Sequence, residues 1–322
     1  MIPPSPSDFP AIETPVPHID VWGSFDALVH YAPIKALLPL PVLALIAPLI
    51  WLVFRKTWQQ LDEEARQDAL ARDPEEADTR PYVCLLLVAV TLTLHEYYGG
   101  RSFFGVALEP VLRSLEENGF TWLKVTQFHE LYGYAWWVGA RIFGYVVVPL
   151  LMWRIFYPQH SVLDMGLRTK GFFSHLWLYA LCLACVFAAM AILSKQEDFL
   201  AYYPFYKASS RSWLDYLAWE AMYFAQFLAL EFYFRGWMLE VLRKRMGAAS
   251  IFVMAVPYCM VHYGKPYLEA HGAIIAGVVL GSLAMRTRSI YAGFLVHITV
   301  AGLMDYYALV ARDGLPKQLF PG

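Results

Sequence analysis

The apolar C-terminal third of the chain carries Glu220, Glu231, Arg235, His262, His297 and Asp305. An acid or base at the centre of a membrane helix costs about 2.5–3.5 kcal/mol on insertion scales, so each of these residues is a candidate for function. Glu231 and Arg235 stand four apart in LALEFYFRGW (228–237), which puts them on one helical face within ion-pairing reach. Glu220 lies three turns earlier on nearly the same face. A carboxylate removed from water is a stronger base and can take a proton from a water molecule. Histidines can position that water or stabilise the oxyanion formed on a peptide carbonyl. Taken alone, either histidine is ordinarily a hydrogen-bonded core residue, and the Glu–Arg pair a structural ion pair. Four such groups on three neighbouring helices favour catalysis. Glu231, His262 and His297 are also a ligand set for a divalent metal. His262 and His297 are 35 positions apart, however, and no H-E-x-x-H occurs. A metal is therefore not favoured, and no cofactor is expected.

Something must hold these groups in place, and the composition says what. Of 322 residues, 58% are hydrophobic and 16% charged, with a mean hydropathy of +0.42. A soluble domain carries about 25% charge. The net charge of −2 gives no reason to expect nucleic acid or another polyanion as partner. Apolar runs at about 36–54, 82–99, 134–153, 173–194, 214–234, 249–263, 271–286 and 289–310 predict an all-α, polytopic membrane bundle of about eight helices. Lys and Arg placement favours both termini outside. The expected organisation is an extended tail over 1–35, with six prolines in residues 1–18. N-terminal membrane helices follow over 36–199, with a mixed-charge, partly helical loop at 55–81 and an interfacial segment at 102–131. A catalytic core spans 200–312, and a tail 313–322. Trp136, Trp137, Trp153 and Trp177 stand near segment ends, as interfacial anchors do. Cys84, Cys182, Cys185 and Cys259 lie in apolar runs, and the lone C-x-x-C pair reads as buried small residues rather than a redox site.

EFYFRG (231–236), YCMVH (258–262) and GVVLGSLAMRTRSIYAGFLVH (277–297) together resemble the CAAX-protease and bacteriocin-processing membrane proteins, which include the Ras-converting CAAX endoprotease. The resemblance covers roughly residues 200–310. It implies an intramembrane protease of glutamic type, in which a glutamate and histidine activate water without a metal; older descriptions treat the family as metalloproteases. Carried onto this chain, it makes Glu231 the general base. His262 and His297 would orient water and stabilise the oxyanion, and Arg235 would set the charge and position of the glutamate. Three positions depart from the family pattern. Leu230 stands where a first glutamate is common, Tyr258 replaces Phe, and Ala301 replaces Asn or another polar group. Tyr258 or Arg235 would then supply the oxyanion donor. Glu220, Glu269 and Asp305 are accessory candidates. Glu269, in YGKPYLEAHG (263–272) with His271, is either part of a substrate lip or a polar cap on a short loop.

The expected activity is endoproteolysis of a membrane-associated or C-terminally processed protein, by a multi-pass protein of a bacterial inner membrane. The expected partners are a peptide or protein substrate and the bilayer. Two other readings use the same residues: an inactive scaffold of the same fold that binds a membrane partner, and a small transporter with Glu231 and Asp305 as proton carriers. No internal inverted repeat supports the transporter.

Overall fold

The computed structural model describes residues 36–321 apart from 38, 74–76, 194–196, 266 and 313. The tail expected over 1–35 lies outside the described residues. Two compact units are distinguished, one ending at Leu49 and one running from Ile50 onward. In the first, the described residues open helix α1 (Pro39–Ala71) with an apolar run containing Pro48. Everything that follows concerns the second unit.

The regular structure is helical, with no strand among the described residues. Extended residues pair at an isolated bridge between Leu167 and Ser289. After α1 come α2 (Arg80–Tyr97), α3 (Arg101–Ala107), α4 (Glu109–Glu117), α5 (Val125–Ile142) and α6 (Val148–Phe156). Next are α7 (Leu176–Leu193), α8 (Trp213–Glu231), α9 (Leu239–Met246), α10 (Ala249–Met260), α11 (Tyr267–Thr287) and α12 (Tyr291–Ala311). Two π-helical segments, Phe143–Val147 and Phe232–Met238, join α5 to α6 and α8 to α9.

Four helical stretches are long and apolar enough to cross a membrane: α1, the continuous Val125–Phe156, α11 and α12. α2 and α3 make a fifth if their pair, bent by 59°, is one span. The expected number of about eight is not reached by that measure among the described residues. The described apolar part of α7 (Leu176–Ala188) and α10 are shorter, and α8 carries Asp215, Glu220 and Glu231.

Helix α1 has 33 residues, about 50 Å, well beyond the ~20 residues a crossing needs. It runs on to Ala71 through the segment expected as a partly helical loop. Arg66–Glu63, Gln60–Glu64, Gln67–Glu63 and Arg72–Asp68 pair at i,i+3 and i,i+4 spacing along that extension. Glu64 also reaches across to Arg243 of α9 (2.9 Å) and Arg288 (2.7 Å). Trp58 donates to Ser282 of α11 at 2.9 Å.

At the opposite end of the chain, residues 318–319 fold back onto α8. Their carbonyls accept the free N–H groups of Trp213 and Leu214 (both 3.0 Å), and the Ser212 hydroxyl caps Asp215 N–H.

The core centres on the π segment after α8. Tyr233, Phe234, Trp237 and Met238 pack with Cys84 and Val88 of α2, Tyr145, Met152 and Trp153 of the α5–α6 stretch, and Met254 and Tyr258 of α10. Every residue from Ala229 to Leu242 is buried. A helix covered on all sides has no solvent face on which to place Glu231 and Arg235, so both go inward.

Candidate active site

Glu231 is the last residue of α8, and Arg235 sits in the π segment that follows it; both side chains are fully buried. Arg235 Nη1 stands 3.0 Å from Glu231 Oε1. His297 of α12 brings Nδ1 to 2.8 Å from that same oxygen. These are ion-pair distances without hydrogen-bond alignment: among the described residues no aligned bond reaches either Glu231 oxygen or any Arg235 nitrogen. The carboxylate and guanidinium thus keep hydrogen-bonding capacity that a packed core normally uses up.

His297 is fixed from three sides. Its Nδ1 lies 3.1 Å from the Gly293 carbonyl as well as near Glu231. Both are acceptors, so Nδ1 carries a proton. The Tyr258 hydroxyl of α10 stands 2.8 Å from Nε2 and is its hydrogen-bond partner. Phe227, one turn before Glu231, stacks on the imidazole at a centroid separation of 5.0 Å and an angle of 12°.

Tyr258 is the hub of the site. The Arg235 guanidinium lies over its ring at 3.7 Å, a cation–π contact. Its carbonyl takes His262 Nδ1 at 2.9 Å, and its ring meets the His262 ring edge-on at 4.9 Å. His262, just past the end of α10, thus touches Tyr258. Among the described residues it makes no bond to Glu231 or His297. Nor do three or more His, Cys, Asp or Glu side chains group there as metal ligands do. The ring nitrogens of His297 are turned to Tyr258, Glu231 and Gly293.

Gly293 is a site residue that sequence reasoning missed. A Cβ there would fall on Glu231 Oε2 and stand 2.7 Å from the carboxyl carbon. Its spacing of four before His297, within the segment that carries the family resemblance, was the available signal. Phe227, four before Glu231, was visible in the same way.

The accessory candidates lie elsewhere. Glu269 bonds Lys265 (2.8 Å) and the Tyr203 hydroxyl (3.0 Å). Asp305 is buried and accepts from Trp219 Nε1 (2.6 Å) and Phe205 N (3.2 Å). Glu220 is buried one residue from Trp219, and neither of its oxygens has an aligned partner among the described residues. Tyr258, by contrast, contacts both neighbours of Glu231, His297 and Arg235. Leu230, where a second acid is common, is buried in the central apolar cluster, and Ala301 packs among Trp219, Tyr223 and Phe227.

Apolar spans around a buried carboxylate–guanidinium–imidazole centre define an integral membrane protein of the helical-bundle class. Residues 212–303 match the family model described as type II CAAX prenyl endopeptidase Rce1-like, so this segment is similar to those endopeptidases. The matched segment opens at the cap of α8 and includes Glu231, Arg235, Tyr258, His262, Gly293 and His297. Asp305 falls outside it. No curated protein and no solved structure matches the chain.

Proposed function

We propose that this protein is an intramembrane endopeptidase in which Glu231 activates the attacking water. The observation that carries this reading is the buried Glu231 carboxylate, touched by Arg235 and His297 at one oxygen, inside the segment that matches the CAAX endopeptidases. Oε1 is committed to those two neighbours, and Oε2, facing Gly293, is the oxygen left for water. In the proposed reaction Glu231 takes a proton from that water. The hydroxide adds to the scissile carbonyl carbon, and the carbonyl oxygen becomes an oxyanion. The C–N bond then breaks as Glu231 returns the proton to the departing amine, leaving a carboxylic acid and an amine, and the acid's proton passes to the amine to give carboxylate and ammonium. Arg235, whose N–H groups have no aligned acceptor, is the proposed oxyanion donor. Tyr258 and His297 hold Glu231 through the hydroxyl-to-imidazole-to-carboxylate chain. His262 would use its Nε2 lone pair to orient the water. No step passes through a metal. The substrate class is a membrane-associated or C-terminally processed protein, and the bilayer is a bacterial inner membrane.

The test is comparative mass spectrometry of peptide ends in the membrane proteome, with wild type against Glu231→Gln. Loss of the base should slow cleavage by about 10²–10⁴-fold, with the variant inserted at normal abundance. New termini should persist when wild-type membranes are treated with a chelator. Undiminished cleavage by Glu231→Gln would sink the assignment, and loss of cleavage on chelation would sink its metal-free form.

A further inference from the structure

A cavity of about 280 Å³ opens between α1 and α11, away from Glu231. Arg55 and Lys56 of α1 and Arg286 of α11 line it, with no acidic residue among the lining side chains. Among the described residues none of the three pairs with a carboxylate. Arg55 rests over the ring of Trp51 at 5.4 Å, and Glu63 and Glu64, further along α1, are taken by Arg66 and by Arg243 and Arg288. Gln60, also in the lining, gives its amide to Glu64 at 3.0 Å. Arg55, Lys56 and Arg286 are all exposed, and three like charges lining one concavity make a positive potential that attracts an anion. The chain as a whole is slightly acidic, so this local excess is not a general property of its surface.

The position of the cavity says which anion. On α1 it falls where the apolar run ending in WLVF passes into RKTW, and on α11 it falls in the last turn before Thr287. Both spans leave the hydrocarbon here, at headgroup depth. Leu52 and Val53, 54% and 45% exposed, form the apolar side of the same cavity. An occupant therefore has an anionic head and an apolar body beside it. The volume, about nine times the ~30 Å³ share of one water, admits a glycerophosphate group. We infer that this cavity binds the phosphate headgroup of an anionic phospholipid, with Arg55, Lys56 and Arg286 on the phosphate and the acyl chains running past Leu52 and Val53. The inference is independent of the proteolytic reading.

The full-length protein, taken from vesicles of equimolar phosphatidylglycerol and phosphatidylcholine, is analysed by native mass spectrometry for retained lipid. Wild type should retain phosphatidylglycerol preferentially. Arg55→Gln, Lys56→Gln and Arg286→Gln should each cut that preference by about fivefold, while Arg55→Lys, Lys56→Arg and Arg286→Lys should keep most of it and so separate charge from folding. Equal retention of the two lipids, or an unchanged preference in the glutamine variants, overturns the inference. Complete displacement of the lipid by excess inorganic phosphate would identify a free-anion site instead and overturn it as well.

Discussion

At the scale of single residues, the site depends on two features with no charge of their own. Gly293 lets α12 approach the Glu231 carboxylate, and a methyl group there has nowhere to go without moving that carboxylate. Gly293→Ala should lower turnover by about a hundredfold or more, the cost of misplacing a catalytic group by roughly 1 Å, with abundance in the membrane unchanged. Wild-type turnover in that variant would show that Glu231 is not the base. Tyr258 contributes a hydroxyl to His297 and a ring to Arg235. Tyr258→Phe keeps the ring and leaves Nε2 of His297 without its partner, a loss of about 1–3 kcal/mol that should show as a lowered melting temperature. Turnover per inserted molecule should fall at least tenfold, read against an abundance blot. Equal turnover would remove the hydroxyl-to-imidazole chain from the mechanism. The i,i+4 relation of Glu231 and Arg235 was legible from spacing alone, because the helix fixes it. The selection of Tyr258 over Glu220, Glu269 and Asp305 was not, because it depends on which faces of α8, α10 and α12 meet.

At the scale of elements, the π segment Phe232–Met238 is the central device. An extra residue per turn changes the direction of every side chain that follows, and such segments recur where function needs an irregular placement. Here it carries Arg235 and packs its aromatic residues against the other π segment, with Tyr145 and Tyr233 rings 4.7 Å apart. Gly236 is the point where the segment meets the 157–167 connection: a Cβ would stand 2.5 Å from the Met165 carbonyl oxygen. Gly236→Ala must push backbone apart, and overpacking of this kind costs about 1–3 kcal/mol. A lowered melting temperature in detergent is the expected reading, and a melting temperature equal to wild type would mean that the connection yields freely. Neither π segment is marked in the sequence, since FGYVV and FYFRGWM have no composition that distinguishes them from ordinary helix. Helix α1 teaches the reverse lesson. Its charged second half reads as a mixed-charge, partly helical loop, and its internal ion pairs and the cross-links from Glu64 accompany a helix continuous to Ala71.

At the scale of the molecule, the polar ends of the helices are tied by charge as well as by packing. Asp78, before α2, bonds Arg80 at 2.6 Å and stands 3.4 Å from Arg245 of α9. Burial pushes its carboxyl up, but the hydrogen bond and charge of Arg80 and the charge of Arg245 outweigh that, and it is held below the ordinary carboxylate value. A depressed folded-state value stabilises the fold at pH above the unfolded value, near 3.9, and the contribution fades as pH falls through the folded one. Asp78→Asn should therefore melt below wild type at pH 7, with the gap closing only under about pH 4. A gap that is constant with pH would show the loss to be one of packing. The sequence by itself determined that this is a helical membrane protein, that its ionisable groups within apolar runs gather in the last third, and that Glu231, Arg235 and two histidines are the groups to watch, because hydropathy and helical spacing are local properties of the chain. Only the tertiary structure decided that His297 reaches Glu231 and Tyr258 reaches His297, that His262 stops at Tyr258, and that Glu220 and Asp305 stand apart. Those outcomes depend on the rotation and register of packed helices, which are set by contacts between side chains far apart in the chain.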